Sequence, residues 1–265
     1  MNEQQLMKFF GFGDDHVPLK KVAKRQKNRK IPVNVPLRKG ARKSMRAHST
    51  LMRDAIIHFE CNPEVVRISD FPMRLEYEVE DRYGVIGTLD HVPDLGIWSR
   101  QQQASYFDIV PVAEQRDMPW LESRTNRLKR TFWEDYRATY RVLDETELHR
   151  QPRWKNYQTI RYHAWRPNME AIMGVRRAMA SLPIVTDIAA ITLAAALPNR
   201  AHVFFNDDGT IAQYRELPEI KRAFSAVMWL ANEGEITLDM SAVISFATKI
   251  TRKSSLLANI EERAN

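Results

Sequence analysis

Between Lys20 and Arg46 the chain carries twelve Lys and Arg residues and no Asp or Glu. Pro32, Pro36 and Gly40 interrupt this run, so one continuous helix is excluded there. The imbalance is local. Residues 1–46 hold thirteen basic and three acidic residues, whereas the rest of the chain holds 27 basic and 30 acidic ones. The net charge of +7 therefore comes from a basic N-terminal arm on a weakly acidic body. An extended arm of this kind suits the phosphates of duplex DNA, with affinity falling steeply as salt rises. The expected contacts are Lys20, Lys21, Lys24, Arg25, Lys27, Arg29, Lys30, Arg38, Lys39, Arg42, Lys43 and Arg46. Arg127 and Arg130 extend the basic surface onto a later helix. The plainer alternative is a solvated tail that keeps the body soluble.

With 265 residues, 44% of them hydrophobic and 28% charged, the chain has room for one large domain or two modest ones. Its longest apolar stretch, Ile188–Leu197, falls short of the roughly 18 residues that a membrane span needs. No secretory signal is read, and no membrane partner is expected. Cys61 is the one cysteine, which excludes an internal disulfide and a cysteine-based zinc site. None of the seven histidines forms a His-x-x-x-His pair, and neither a Gly-rich phosphate loop nor a nucleophile elbow occurs. The expected location is the cytoplasm, in association with the nucleoid.

Apolar periodicity predicts a helix over His48–Phe59, with Ser49 as its cap and Leu51, Met52, Ala55, Ile56 and Phe59 as its stripe. Strands are expected at Val65–Ile68, Met73–Val79, Leu95–Trp98, Tyr106–Val110 and Tyr140–Leu143, and helices at Arg124–Tyr140 and Glu145–Ala164. This order points to an α/β sandwich over residues 47–166. After Arg166-Pro167, helices are expected at Met169–Ser181, Thr186–Leu197, Pro218–Asn232 and Ala242–Ile250. A hairpin turns at Asn206–Gly209, and a short strand covers Glu235–Met240. Residues 167–265 thus read as a mainly helical, winged-helix-like module.

The chemistry centres on Asp94, which opens a strand, and Asp108 in the next one. Two acids on adjacent strands suit a divalent cation. The order around them resembles the TnsA-like transposon endonucleases, a branch of the PD-(D/E)xK restriction-like nucleases. The resemblance covers roughly Arg42–Asn156. It rests on Ser49-Thr50-Leu51-Met52-Arg53-Asp54, Asn62-Pro63-Glu64-Val65-Val66, Phe71–Tyr77, His91-Val92-Pro93-Asp94-Leu95 and Tyr140–Leu148. It implies a restriction-endonuclease-like sandwich and a metal site made from a helical glutamate, the aspartate of the Pro-Asp strand, and an acid or amide two residues before a lysine.

Asp94 and Asp108 match two of those positions as catalytic and metal-binding residues. Met52 stands where the glutamate is expected and Val110 where the lysine is expected. Losing one such electrostatic group typically costs about 10²–10³ in rate. The resemblance therefore implies a DNA-binding protein on a nuclease scaffold that has lost its hydrolytic centre, needing no cofactor. It would act with mobile-element or host partners engaged through the C-terminal region. An active Mg²⁺- or Mn²⁺-dependent endonuclease is the second reading, its site rearranged around His58, Glu60, Asp90, His91, Glu114 or Arg116. A mobile-element interaction protein that does not bind DNA is the third.

Overall fold

The computed structural model describes residues 2–23, 31–80, 83–166, 168–198, 200–217 and 219–253. They form two compact units, Met1–Arg150 and Gln151–Asn265.

The first unit is built on a four-stranded mixed sheet in the order β3-β6-β7-β8, from β3 (Val65–Asp70), β6 (Leu95–Ser99), β7 (Ala104–Ile109) and β8 (Thr139–Leu143). The first three strands pair antiparallel, and β8 pairs parallel to β7. A parallel return needs a crossover, and α4 (Leu121–Tyr136) supplies it. Side chains alternate across the sheet and feed two cores. On one face Leu95, Phe107, Ile109 and Leu143 pack with Met52, Ala55, Ile56 and Phe59 of α2 (Thr50–Glu60). On the other, Trp98, Tyr106 and Tyr140 pack with Leu128 and Phe132 of α4. Ser49 caps α2 by accepting the Met52 amide at 3.1 Å, as the sequence leads one to expect.

Several elements of this unit are absent from the sequence reading, β5 and α1 among them. β5 (Ile86–His91) pairs antiparallel with β4 (Leu75–Glu80) as a separate hairpin that prolongs the β3–β6 pair past a bend. Every residue of β5 except His91 is exposed, so no apolar alternation marks it. The N-terminal helix α1 (Glu3–Phe9) starts at a capping box between Asn2 and Gln5 and leads Phe10 and Phe12 into the α4-side core. Gly11, at φ 81°, makes that turn, and a Cβ there would lie 2.1 Å from the carbonyl oxygen of Pro72.

The expectation of an extended arm fails over residues 31–47. β1 (Val33–Pro36) and β2 (Ser44–Ala47) form an antiparallel hairpin. Val35, Leu37, Met45 and Ala47 are buried in the α2-side core. The alternating apolar residues between the basic ones outweigh the charge, because each buried side chain adds roughly 1.5–3 kcal/mol.

In the second unit α6 (Arg153–Ala164), α7 (Met169–Ser181), α8 (Ile188–Ala195) and α9 (Glu219–Asn232) accompany a three-stranded antiparallel sheet. Its order is β12 (Ile236–Leu238), β13 (Lys249–Arg252), β9 (Val185–Asp187). The hairpin of β10 (Arg200–Phe205) and β11 (Ile211–Leu217) inserts between α8 and α9. Among the described residues, helices make up most of the regular structure of the unit, and five short strands accompany them. α9 packs against α6, α7 and α8, and Lys221 is the one exposed side chain among those described in it.

The division falls at Arg150/Gln151 rather than at Arg166-Pro167, because α6 belongs to the second unit. Fully buried Asn156 of α6 donates to the Ala242 carbonyl and accepts the Ile244 amide, both at 2.8 Å. The helix expected at Ala242–Ile250 is absent. Ser245 and Thr248 bond locally to backbone and side chain there, which competes with a helix, and Ile250 is buried in β13.

Candidate functional site

Asp94 precedes Leu95 and Asp108 follows Phe107, so the two acids flank the pair that ends the β6–β7 ladder. The end of the ladder uses the Asp94 side chain structurally. Its Oδ2 accepts the Ile109 amide at 2.9 Å, and His48 Nε2 lies 3.4 Å from the same oxygen. Asp94 keeps 19% side-chain exposure.

Asp108 lies on the α4 side of the sheet and is 5% exposed. One carboxylate oxygen is 3.1 Å from Nε2 of His91. The other accepts from the Arg124 guanidinium at 2.8 Å and from the Tyr140 hydroxyl at 2.7 Å. Burial raises its pKa, but the hydrogen bonds from His91 and Tyr140, with the charges of His91 and Arg124, hold the carboxyl below its ordinary range. Burial, the Asp108 charge and their hydrogen bond push the Tyr140 hydroxyl well above its usual value. The indole of Trp120 lies 4.9 Å from the Arg124 guanidinium carbon, a cation–π distance.

These residues do not fit a hard divalent cation. Both oxygens of Asp108 already meet donors within its own unit, and Met52, at the glutamate position, is completely buried among apolar neighbours. Val110 donates its amide to Leu143 and carries no charge. Among the described residues no group of three His, Cys, Asp or Glu side chains could hold a metal ion. Three of the candidate replacements are also engaged. His91 is on Asp108, buried Glu60 accepts the Arg38 amide at 2.7 Å, and Asp90 pairs with Arg74 at 3.2 Å.

The basic residues divide into three groups. Lys20 donates to the Val92 carbonyl at 2.9 Å and Lys39 to the Asn62 carbonyl at 2.7 Å, while Arg42 grips both oxygens of buried Asp70 at 2.7 Å. Arg42 thereby ties the hairpin loop to β3, Lys39 ties it to the turn after α2, and Lys20 ties the preceding segment to the turn before β6. Lys21, Arg38 and Lys43 are exposed, and Arg46 is half-buried in β2. Lys24, Arg25, Lys27, Arg29 and Lys30 lie outside the described residues. On α4, Arg127 is exposed and Arg130 pairs with Glu134 at 3.0 Å. Both line a groove shared with Glu76, Glu78, Glu80 and Asp135, so their surroundings are acidic rather than a continuation of the basic arm.

Sequence reasoning finds Asp94 and Asp108 but misses the partners of Asp108, because they lie 16, 17 and 32 positions away on other elements. No family model matches the chain, and no curated protein matches it. Among the described residues no helix is long and apolar enough to cross a membrane.

Proposed function

We propose that this chain is a DNA-binding protein on a restriction-endonuclease-like scaffold, of the kind used by TnsA-like endonucleases, with a structural ion cluster in place of the hydrolytic centre. The observation that carries the reading is Asp108, whose carboxylate is taken up by Arg124, His91 and Tyr140 rather than presented to a cation. The order α2, β3, β6, β7, α4, β8, with a helix on each face of the sheet, supports the scaffold. From α7 onward the second unit runs helix, strand, helix, helix, strand, strand, which supports a winged-helix-like module with α6 before it and the β10–β11 hairpin as an insertion.

DNA contact rests on Lys21 and Lys43, both exposed, together with the basic residues of 24–30. A protein partner is assigned to the second unit, where Phe204, Phe205 and Ile211 are 51%, 65% and 61% exposed on one hairpin.

Two assays test this. Incubation of supercoiled plasmid with Mg²⁺ or Mn²⁺ is expected to give no nicking beyond that of Asp94→Ala; nicking that disappears in the variant overturns the loss of the hydrolytic centre. Gel shifts across salt concentrations are expected to show a steep slope that flattens in Lys21→Gln/Lys43→Gln, since each lost phosphate contact reduces the slope by about one. Absence of binding at low salt overturns the DNA reading. Deletion of residues 1–46 is not a fair test, because it removes Phe12, Val35, Leu37 and Met45 from the cores.

A further inference from the structure

The groove between the β4–β5 hairpin and α4 has a volume of about 700 Å³. Five successive residues of β4, Glu76 to Glu80, line it. Successive side chains of a strand point to opposite faces, so a groove touched by all five reaches past the strand's edge, while Thr88 and Ile86 of β5, opposite Glu78 and Glu80, carry it over the glutamate face of the hairpin. β4 pairs only with β5, and in an antiparallel pair every second residue directs its N–H and C=O away from its partner. Among the described residues no backbone group of β4 bonds to anything other than β5. The edge is therefore open, and it borders the groove whose other wall is made by Arg127, Arg130, Thr131, Glu134 and Asp135 of α4.

Charge identifies what this edge would take. Glu76, Glu78, Glu80, Glu134 and Asp135 place five carboxylates around the groove against two guanidinium groups, and Arg130 is already paired with Glu134. The three glutamates recur at every second position on one face of the strand, the spacing at which an added strand presents its own side chains. Ile86, 65% exposed and opposite Glu80 in the hairpin, adds an apolar contact at one end. We propose that β4 accepts an extended peptide from a partner protein, with Lys or Arg at alternate positions, added as a further strand of the hairpin. Main-chain pairing supplies the affinity, and the glutamates select the basic side chains. This surface is independent of the DNA reading.

The test uses the full chain and a fluorescein-labelled peptide of alternating lysine and valine, followed by anisotropy, with amide hydrogen exchange to locate the contact. The peptide is expected to bind and to slow exchange in residues 75–80. Alternating glutamate and valine should not bind. Methylating alternate peptide nitrogens on the pairing edge, which keeps the charge and removes the donors, should weaken binding about tenfold or more. Glu76→Gln/Glu78→Gln/Glu80→Gln should weaken it about tenfold, and Arg127→Glu, which adds an acid to the wall, should tighten it. All the substituted side chains are exposed, so folding is retained. Equal binding of the methylated peptide, protection confined to other strands, or a triple variant and Arg127→Glu that both bind like the parent would overturn the proposal.

Discussion

The Arg124 guanidinium reaches across from α4 to lie 2.8 Å from the Asp108 carboxylate of β7, an interior strand of the sheet. Its Nε is buried with no hydrogen-bond partner, so Asp108 is the anchor of that head group, and the Trp120 ring lies against it. The cluster ties the crossover helix to β7, and through Tyr140 and His91 to β8 and β5.

Asp108→Ala leaves Arg124 and His91 without their shared acceptor. Breaking a buried pair in this way costs about 3–5 kcal/mol. Urea unfolding should show a loss of that size at neutral pH. A loss under about 1 kcal/mol would contradict a structural role for the cluster.

The same carboxylate makes stability depend on acid. Burial pulls its pKa upward, but the bonds from His91 and Tyr140 and the Arg124 charge leave it depressed in the folded chain. On lowering the pH, the unfolded chain therefore takes up the proton first, near its ordinary value of about 3.9. The contribution is complete above that value and is lost as pH falls through the folded-state value. Asp108→Asn should flatten the fall in urea midpoint between about pH 5 and about pH 3, and an unchanged profile would assign the acid sensitivity to other groups.

The hairpin formed by part of the basic run is core. Met45 is 2% exposed beneath α2, so Met45→Ala should cost about 2–5 kcal/mol. Differential scanning calorimetry would register this as a lowered Tm. A cost near zero would return residues 31–47 to the status of a detached arm.

In the second unit, Asn156→Ala strands the Ala242 carbonyl and the Ile244 amide, which together bind the loop before β13 to α6. Each lost buried hydrogen bond costs about 1–3 kcal/mol. Hydrogen exchange should report faster opening at Ala242–Ile250 if α6 belongs to this unit.

Where a segment packs one face and leaves the other wet, its identity is legible. α2 shows this, with Met52, Ala55, Ile56 and Phe59 at helical spacing behind the Ser49 cap. β5 defeats the same reasoning because five of its six residues are exposed. The β1–β2 hairpin is hidden by composition. Val33, Val35 and Leu37 alternate, but the neighbouring lysines and arginines dominate the reading, and no local signal reveals that Arg42 will meet Asp70 or that Glu60 will take the Arg38 amide. Asp94 and Asp108 stand out as acids on adjacent strands. The fate of Asp108 depends on Arg124 and Tyr140, whose arrival is decided by the path of α4 and the parallel return of β8.

The encasement of α9 bears on how any base sequence could be read. A recognition helix must lay a bare flank into the major groove so that several side chains meet base edges. α9 is hemmed in by three other helices, with Lys221 alone projecting outward among its described side chains. That rod serves as the spindle of its unit, so on the proposed DNA-binding reading base edges would be met by other elements, or sequence felt through the pliability of the duplex.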